Sequence, residues 1–245
     1  MDQIERLAQA LKESRHLCVF TGAGISVPSG IPDFRSSNGL YNTKSKYPYP
    51  AETMISHSFY ERHNEMFWDF YRSVMLFPQA KPNEAHRFFA SLETPERQVA
   101  VVTQNIDGLH QAAGSTNVFE LHGSVHRNFC QSCGRQYSLE DLLGMDAVPR
   151  CPKCGGAIKP DVVLYEEPLN EEVVYGAVGA IRRSDVMVVV GTSLVVYPAA
   201  SYLRYFSGDC LALINKSETA YDSSADIALN DDVIRVVQQL KKYGV

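Results

Sequence analysis

The sequence lacks the features that mark several broad classes of protein. No apolar run among its 245 residues approaches the length of a bilayer-spanning helix, and its first six residues have neither a basic stretch nor an apolar core. We therefore expect no membrane segment and no signal peptide. Basic residues are not in excess, since 23 Lys and Arg stand against 28 Asp and Glu. That balance argues against broad electrostatic binding of nucleic acid.

Internal repeats and low-complexity tracts are absent as well. The chain is 45% hydrophobic and 21% charged, which is ordinary for a globular protein, and its length suffices for one large domain with a small insert. Cys18 and Cys210 lie in apolar runs and indicate reduced thiols in a core. Together with the missing signal peptide, they predict a cytoplasmic protein.

Cysteine is scarce, and four of the six cysteines are confined to one short stretch. They form two C-x-x-C pairs, Cys130 with Cys133 and Cys151 with Cys154, separated by seventeen residues. This spacing is typical of a zinc ribbon, in which four thiolates close a tetrahedral site and leave no position for substrate. The alternatives are two disulfides or a redox-active pair. We favour one structural zinc ion per chain.

Two kinds of periodic segment alternate along the rest of the chain. The continuous apolar runs, which predict buried strands, are residues 16–20, 98–102, 186–190 and 210–214. The segments with helical spacing of apolar residues are 4–11, 85–92, 171–181, 199–206 and 233–240. This alternation predicts an α/β fold with a doubly wound, parallel, Rossmann-like sheet, whose ligands bind beyond the carboxyl ends of its strands.

Two segments interrupt the alternation. Residues 36–80 are rich in Tyr, Pro and Phe, with a helix predicted around residues 65–76, and residues 124–160 contain the four cysteines. We interpret them as a helical and loop insert and a small zinc-ribbon insert, with a cleft between them and the sheet. The discontinuous sheet domain then comprises residues 1–35, 81–123 and 161–245.

A short glycine motif, Gly22-Ala-Gly24, follows the first predicted strand. Glycines between a strand and a helix let the backbone approach a pyrophosphate. The third glycine of the dinucleotide-binding pattern is missing, however, and the nearest later glycine is Gly30. Taken alone, this motif favours an ordinary left-handed turn over a phosphate site.

Several motifs occur together and in a fixed order. They are Gly22–Arg35, Thr103–His110, Glu120–Gly123, the two cysteine pairs, Lys159–Val163 and Gly191–Pro198. In this combination the sequence resembles the sirtuins, a family of NAD-dependent protein lysine deacylases. The resemblance extends from the first helix to about Val233 and is greatest to the compact microbial members.

The resemblance implies a reaction with NAD as co-substrate. Sirtuins cleave the bond between nicotinamide and ribose, the acyl-lysine oxygen captures the ribose carbon, and the ribose 2'-hydroxyl resolves the resulting imidate. That last step needs a general base near neutral pH, for which histidine is suited. By motif match the base is His122, although a histidine with a purely structural role is the alternative. The other histidines lack motif support and are interpreted as surface or packing residues.

The remaining site residues also follow from the resemblance. Asn105 orients ribose hydroxyls or a water, Asp107 with the Ile106 backbone forms the nicotinamide pocket, and Phe34 screens the reactive carbon. An ordinary turn is the alternative for this Asn-Ile-Asp segment. The other expected NAD contacts are Arg35 near phosphate or ribose, Ala23, Ser26, Val27 and Gln104 in the pocket wall, Thr192 and Ser193 at phosphate, Asn215 and Lys216 at the adenosine ribose, and Asp232 and Val233 at adenine.

One departure from the family pattern lies in the segment that pairs with substrate peptide. Many sirtuins have an aromatic-Gly-Glu sequence there, whereas this chain has Tyr165-Glu-Glu167. Backbone pairing does not depend on the side chain, so a strand edge survives the change. A positive φ angle at Glu166 would be strained, and its carboxylate would favour basic peptides.

A second departure concerns the acyl group. Sirtuins that prefer succinyl or malonyl groups have a Tyr-x-x-Arg pair, in which the Arg binds the acyl carboxylate. Tyr71 matches that Tyr, but Val74 stands where the Arg would be, and Arg72 faces elsewhere on a helix. We expect the acyl pocket to prefer neutral chains.

The sequence therefore predicts an NAD-dependent protein deacylase, foremost a lysine deacetylase, with acyl-lysine proteins or peptides as partners. One alternative is mono-ADP-ribosyl transfer, in which another nucleophile captures the ribose carbon. Another is a non-catalytic sensor of NAD or ADP-ribose, which would need neither His122 nor Asn105. A zinc-ribbon protein that binds nucleic acid is disfavoured by the acidic balance.

Overall fold

The computed structural model describes residues 2–34, 39, 46–195 and 198–245. Its strands are β1 (His16–Thr21), β2 (Gln98–Thr103), β3 (Val118–Glu120), β4 (Gly123–Cys130), β5 (Gln136–Ser138), β6 (Ile158–Val162), β7 (Val186–Val190), β8 (Cys210–Ile214) and β9 (Ile227–Leu229). Its α-helices are α1 (Gln3–Glu13), α2 (Ala51–Met54), α3 (His57–Arg62), α4 (Asn64–Phe70), α5 (Glu84–Ser91), α6 (Leu109–Ala112), α7 (Leu139–Leu143), α8 (Glu171–Arg183) and α9 (Val233–Lys242).

Six strands form one sheet, which we call the large sheet, in the order β3-β2-β1-β7-β8-β9. All neighbouring strands are parallel, and Thr21 at the end of β1 pairs with Thr103 of β2, while Val190 of β7 lies opposite on the other side. The predicted strands are β1, β2, β7 and β8. The prediction of a parallel, doubly wound sheet is therefore confirmed.

Alternate residues of the central strands enter two different cores. Leu17 and Val19 of β1 pack with α1, α5 and α9 on one face, and Cys18 and Phe20 pack with α8 on the other. Parallel strands that are covered on both faces are apolar throughout, which explains the continuous apolar runs. The predicted helix at 199–206 is a narrower 3-10 helix, Ala199–Tyr205, on the same face as α8.

Three antiparallel strands form a second sheet, which we call the small sheet, in the order β5-β4-β6. Its residues share one core with the helical segment, since Phe67 and Trp68 of α4 cluster with Leu142 and Ile158. The two predicted inserts therefore pack against each other. The helix predicted around residues 65–76 is α4 followed by a π-helical turn, Tyr71–Met75.

The strand order reverses between β1 and β7. Ligands bind at such a switch point in doubly wound folds. Predicted site residues follow β1, β2, β3, β7, β8 and β9 at this same carboxyl edge. Within the described ranges, no helix is long and apolar enough to cross a membrane.

Candidate active site and metal centre

The loops after β1 and β7 are in close backbone contact. A Cβ atom added to Gly24 would lie 2.7 Å from the Cα atom of Gly191, and one added to Gly22 would lie 2.7 Å from the Thr192 Cβ atom. The Gly24 N–H donates to the Gly191 carbonyl at 2.8 Å. The glycine motif is thus required for loop packing, and a short 3-10 helix, Ala23–Ile25, begins within it.

His122 lies between β3 and β4, at the edge of the large sheet. Its Nδ1 atom is 2.8 Å from the backbone oxygen of Gln104. A carbonyl oxygen only accepts, so Nδ1 carries a proton, and the neutral ring has its lone pair on Nε2. Burial lowers the pKa of His122, and the bond to Gln104 offsets part of this shift. The ring is therefore held in the tautomer and charge state of a base.

Asn105 directly follows Gln104 and is buried. Its amide nitrogen donates to the Gly22 carbonyl and to the Ser26 hydroxyl, each at 3.1 Å. The Gly22 contact identifies the nitrogen, because that carbonyl cannot donate. The amide oxygen of Asn105 accepts no hydrogen bond from any residue in the described ranges. This oxygen is an acceptor that a ligand hydroxyl or a water can use.

Asp107 accepts two hydrogen bonds, from the Ser26 hydroxyl at 2.7 Å and from the Leu109 N–H at 2.9 Å. Burial raises the pKa of this carboxyl, and the two hydrogen bonds oppose the shift. Ser26 is only 1% exposed and bonds to both Asn105 and Asp107. Its side chain joins the two predicted site residues, a role that the sequence did not indicate.

A second layer of polar residues supports this arrangement. The Thr21 hydroxyl contacts the Thr103 hydroxyl at 2.8 Å and the Nε2 atom of His110 at 3.0 Å. His86 closes a capping box with Asn83 at the start of α5. Burial lowers the pKa of His86 to about 4 and that of His110 to about 3. Both rings stay neutral, in agreement with the packing role predicted for them.

Gln104 also contacts the loop after β7. Its side-chain nitrogen donates to the Thr192 hydroxyl at 3.1 Å, and Asn215, after β8, donates to the Thr192 carbonyl at 2.5 Å. Ser193 is exposed and has no hydrogen-bond partner among the described residues. The residues predicted for the phosphate and ribose side therefore lie together.

The predicted adenine side is joined by an ion pair. Lys216 Nζ is 2.9 Å from an Asp232 carboxylate oxygen, and the other oxygen accepts from the Ile234 N–H at the start of α9. Val233 is buried as the first residue of that helix. Lys216 and Asp232 thus lie side by side at the edge beyond β8 and β9.

The remaining residues predicted to contact NAD differ in how far they are exposed. Ala23 and Phe34 are half-buried, whereas Val27 is exposed. The Ile106 carbonyl accepts from the Val125 N–H at 3.0 Å and is used within the protein. Arg35 lies outside the described residues.

The four cysteines of the C-x-x-C pairs come together at one end of the small sheet. Their sulfur atoms all lie within 4.8 Å of one another, with Cys130 and Cys154 at 3.5 Å and Cys133 and Cys151 at 3.7 Å. Zinc–sulfur bonds of about 2.3 Å in a tetrahedron place sulfurs about 3.8 Å apart. None of the four is in a disulfide. The donor set and spacing fit a structural zinc ion and argue against disulfides.

Tyr137 was not predicted at this centre. Its hydroxyl lies 3.0 Å from the Cys151 sulfur, and this hydrogen bond is the largest of several that together lower the pKa of Cys151 to about 6. A donor to a metal-binding thiolate holds that ligand in its charged form and orients it. The only signal in the sequence would have been a Tyr on the strand that follows the first cysteine pair.

Glu166 has a positive φ of 76°, the strained conformation considered from the sequence. Its carboxylate accepts from the Ser58 N–H at 2.9 Å and from the Ser58 hydroxyl at 3.0 Å. These bonds offset the strain and fix the segment on α3. Tyr165 is fixed there as well, because it bonds to the backbone of Ile55 and His57.

Tyr71 and Val74, which were compared with the Tyr-x-x-Arg pair, lie in the core that the helical segment shares with the small sheet. Tyr71 is 1% exposed, and the Arg72 guanidinium donates to the Leu142 and Asp146 carbonyls of the small-sheet region at 2.9 and 2.8 Å. The Arg72 guanidinium also lies 5.9 Å from the centre of the Trp68 ring, which contacts Tyr71, so Arg72 is held between that ring and the carbonyls of the small-sheet region. The wider π-helical turn places Val74 less directly beside Tyr71 than an α-helix would.

Comparison with known proteins agrees with this geometry. A sequence model of the Sir2 family matches residues 22–198. The chain is similar to a protein named NAD-dependent protein deacetylase from Clostridium acetobutylicum, with 52% identity over 97% of this chain and 98% of that protein. A Staphylococcus aureus protein of the same name is 42% identical over 98% of each chain.

Solved structures give the same result. A Sir2 structure with a p53 peptide and NAD+ matches with a TM-score of 0.85 and 39% identity, over 100% of this chain and 99% of that one. A Sir2 protein bound to a propionylated peptide matches with a TM-score of 0.87 and 37% identity, over 99% of each.

Proposed function

This chain belongs to the Sir2 family, and from that premise we propose that it is an NAD-dependent protein lysine deacetylase. It transfers the acyl group of an acyl-lysine protein or peptide to ADP-ribose and releases nicotinamide. The observation that carries the proposal is the state of His122, which the Gln104 carbonyl holds with Nε2 unprotonated at the carboxyl edge of the large sheet.

His122 is the general base in this proposal. Its Nε2 lone pair takes the proton of the ribose 2'-hydroxyl, so that this oxygen can attack the carbon that links the acyl group to lysine. Burial keeps the ring neutral and available at neutral pH. Because Gln104 is anchored to Thr21 and Thr192, the bond that orients the ring comes from a fixed backbone.

Asn105 and Asp107 handle the nicotinamide ribose side. The free amide oxygen of Asn105 accepts from a ribose hydroxyl or an ordered water, and Asp107 accepts from the nicotinamide amide. Ser26 holds both residues in place from behind. The Ser26 side chain is buried, so we propose that it positions Asn105 and Asp107. Its backbone forms part of the pocket wall.

The remaining NAD contacts extend along the carboxyl edge of the large sheet. We propose Ala23, Val27, Phe34 and Arg35 at the ribose side, Thr192 and Ser193 at the phosphates, and Asn215, Lys216, Asp232 and Val233 at adenosine. Support comes from their positions after successive parallel strands on both sides of the switch point.

Cys130, Cys133, Cys151 and Cys154 hold zinc, which cross-links the small sheet and takes no part in the reaction. Four thiolates leave the ion no open coordination position. We propose the division into a NAD-binding domain (residues 1–35, 81–123 and 161–245), a helical module (36–80) and a zinc module (124–160), with the two modules packed on a common core. The reduced cysteines support a cytoplasmic location.

Two alternative functions explain fewer features of the site than deacetylation does. A sensor of NAD or ADP-ribose has no use for a histidine held as a base. Mono-ADP-ribosyl transfer uses the same cofactor site but requires a different nucleophile from the acyl-lysine oxygen.

Mass spectrometry of acetyl-lysine peptides incubated with and without NAD tests the proposal. We expect deacetylated peptide, nicotinamide and acetyl-ADP-ribose in equal amounts, and only with NAD. ADP-ribosylated peptide without deacetylation would favour the transferase, and NAD binding without any product would favour the sensor.

A further inference from the structure

A cavity of about 410 Å³ lies beside the segment that contains Glu166, and none of its residues has been assigned to NAD or zinc. Its volume is in the range of small-ligand sites. Its lining includes Glu167, Leu169, Glu171, Val174, Tyr175 and Tyr202. The cavity therefore lies between the segment after β6, the start of α8 and the 3-10 helix after β7.

Glu171 and Tyr175 form one wall. They are four residues apart on α8 and so lie on the same face of the helix. Tyr175 is 76% exposed, more than any other large apolar side chain in the described ranges. An acidic residue in the first turn is favoured by the helix dipole, which accounts for Glu171 but not for an exposed aromatic ring beside it.

The two carboxylates of the cavity differ in their availability. Glu167 contacts His57 Nδ1 at 2.8 Å and Lys159 Nζ at 3.1 Å, so its charge is already balanced within the protein. Glu171 is exposed and makes no side-chain hydrogen bond or ion pair with any residue that the structure describes. The charge that the cavity offers to a ligand is therefore that of Glu171.

The cavity lies within reach of a peptide whose lysine is at His122. The Val163 N–H donates to the His122 carbonyl at 3.0 Å, and Glu167 is only four positions after Val163. An extended chain of that length spans at most about 14 Å. The turn closed by the Glu167 N–H and the Leu164 carbonyl shortens it further. An extended substrate peptide would cover that distance in about four residues.

We propose that this cavity is a subsite for a cationic side chain, arginine in particular, on a residue near the acyl-lysine of the substrate. The inference rests on the proposed deacetylase function. A guanidinium can stack on the Tyr175 ring and pair with Glu171, while Leu169 and Val174 cover its methylene groups. Lysine lacks the planar group and binds less well, and a glutamate is repelled.

Acetyl-lysine peptides that carry Arg, Lys, Ala or Glu at each of four positions on either side of the lysine test the proposal. At one position we expect Arg to lower KM about three- to tenfold relative to Ala, with kcat unchanged, since both contacts are partly exposed. Glu171→Gln and Tyr175→Ala should each reduce this preference. Glu171→Arg should transfer the preference to the Glu peptide. Glu172→Gln, in the same helical turn but outside the cavity, is the matched control.

The proposal is overturned if no position favours Arg, or if the preference survives both Glu171→Gln and Tyr175→Ala. Fluorescence anisotropy with the same peptides on the His122→Ala variant measures the subsite without turnover. The wild-type protein could deacetylate no peptide while the Arg peptide still binds more tightly than the Ala peptide, and only when Glu171 is present. That result would support the subsite and show that the proposed activity is wrong.

Discussion

The metal centre and the carboxyl edge of the large sheet both hold polar groups close together, but by different means. At the metal centre, Cys130 and Cys133 meet Cys151 and Cys154, and all four donors lie within 25 residues of the chain. At the sheet edge, Ser26, Asn105 and His122 come from three separate loops and are held by hydrogen bonds to protein groups.

The difference predicts how each region responds to the loss of one side chain. Thiolates that repel one another need the ion between them, so the loss of one ligand affects the whole module. The site at the sheet edge is held by backbone hydrogen bonds and by the paired strands of the large sheet, so one side chain can be removed without loss of the fold. The chemistry and the cross-link are thus in separate regions.

Removing one zinc ligand should have the largest effect. Structural zinc in small modules contributes on the order of 10 kcal/mol of folding free energy at neutral pH. We expect Cys151→Ala to lose zinc, to unfold at lower temperature and to lose deacetylation as a result. Zinc content by elemental analysis and the melting temperature check this. Cys210→Ala, a cysteine outside the cluster, should retain the metal, and a fully stable, metal-free Cys151→Ala protein would contradict the role of zinc.

Removing the base should abolish chemistry and leave structure intact. We expect His122→Ala to reduce kcat/KM for an acetyl peptide by about 10²–10⁴-fold, the usual contribution of a general base. Zinc content and melting temperature should equal those of the wild type. His16 is exposed and lies at the start of β1, at the opposite end from the carboxyl edge, so His16→Ala is the control. Activity within twofold of the wild type would remove His122 from the mechanism.

We expect acyl choice to depend on the core that the helical and zinc modules share. A succinyl carboxylate would be buried without a cationic partner, so acetyl peptides should be preferred by at least about tenfold in kcat/KM. Val74→Arg should raise relative desuccinylation, although the π-helical turn limits the gain. Arg72→Ala should leave the ratio within twofold, because Arg72 bonds to carbonyls of the small-sheet region. A wild-type preference for succinyl peptides would contradict this interpretation.

The pH dependence of activity should also distinguish the site at the sheet edge from the metal centre. Burial lowers the pKa of His122, so the base stays neutral until the pH falls below the ordinary histidine value of about 6.5. Activity should be constant above that pH and should decrease, up to tenfold per unit, as the pH falls through the lowered value. Zinc content measured over the same range shows whether metal loss is the cause. An acid limb above pH 6.5 with zinc retained would be incompatible with this assignment.

The smallest effect is expected at Glu166. Glu166→Ala keeps the strained φ and loses both bonds to Ser58, so the free energy of unfolding should decrease by about 2 kcal/mol. Glu166→Gly loses the same bonds but relieves the strain, and should recover about 1 kcal/mol. Urea denaturation of both variants and of Ser58→Ala gives the comparison. Equal stability of the Ala and Gly variants would show that the strain is not significant.

Much of the architecture could be predicted from the sequence. Continuous apolar runs identified β1, β2, β7 and β8, and apolar spacing identified α1, α5, α8 and α9, because these patterns are local and long enough to be distinct. The strands β3 and β9, of three residues each, are too short to show any period. The 3-10 form of Ala199–Tyr205 depends on packing and has no separate pattern.

The sequence by itself determined the two cysteine pairs, the parallel sheet and the likeness that led to His122, since all three are recorded in the spacing of residues along the chain. Only the tertiary structure decided that Ser26 joins Asn105 to Asp107, that Tyr137 contacts Cys151 and that Glu166 is bonded to Ser58. These contacts connect residues that are 14 to 108 positions apart in the chain. Hydrogen bonds of this kind act over about 3 Å in space and leave no period in the sequence.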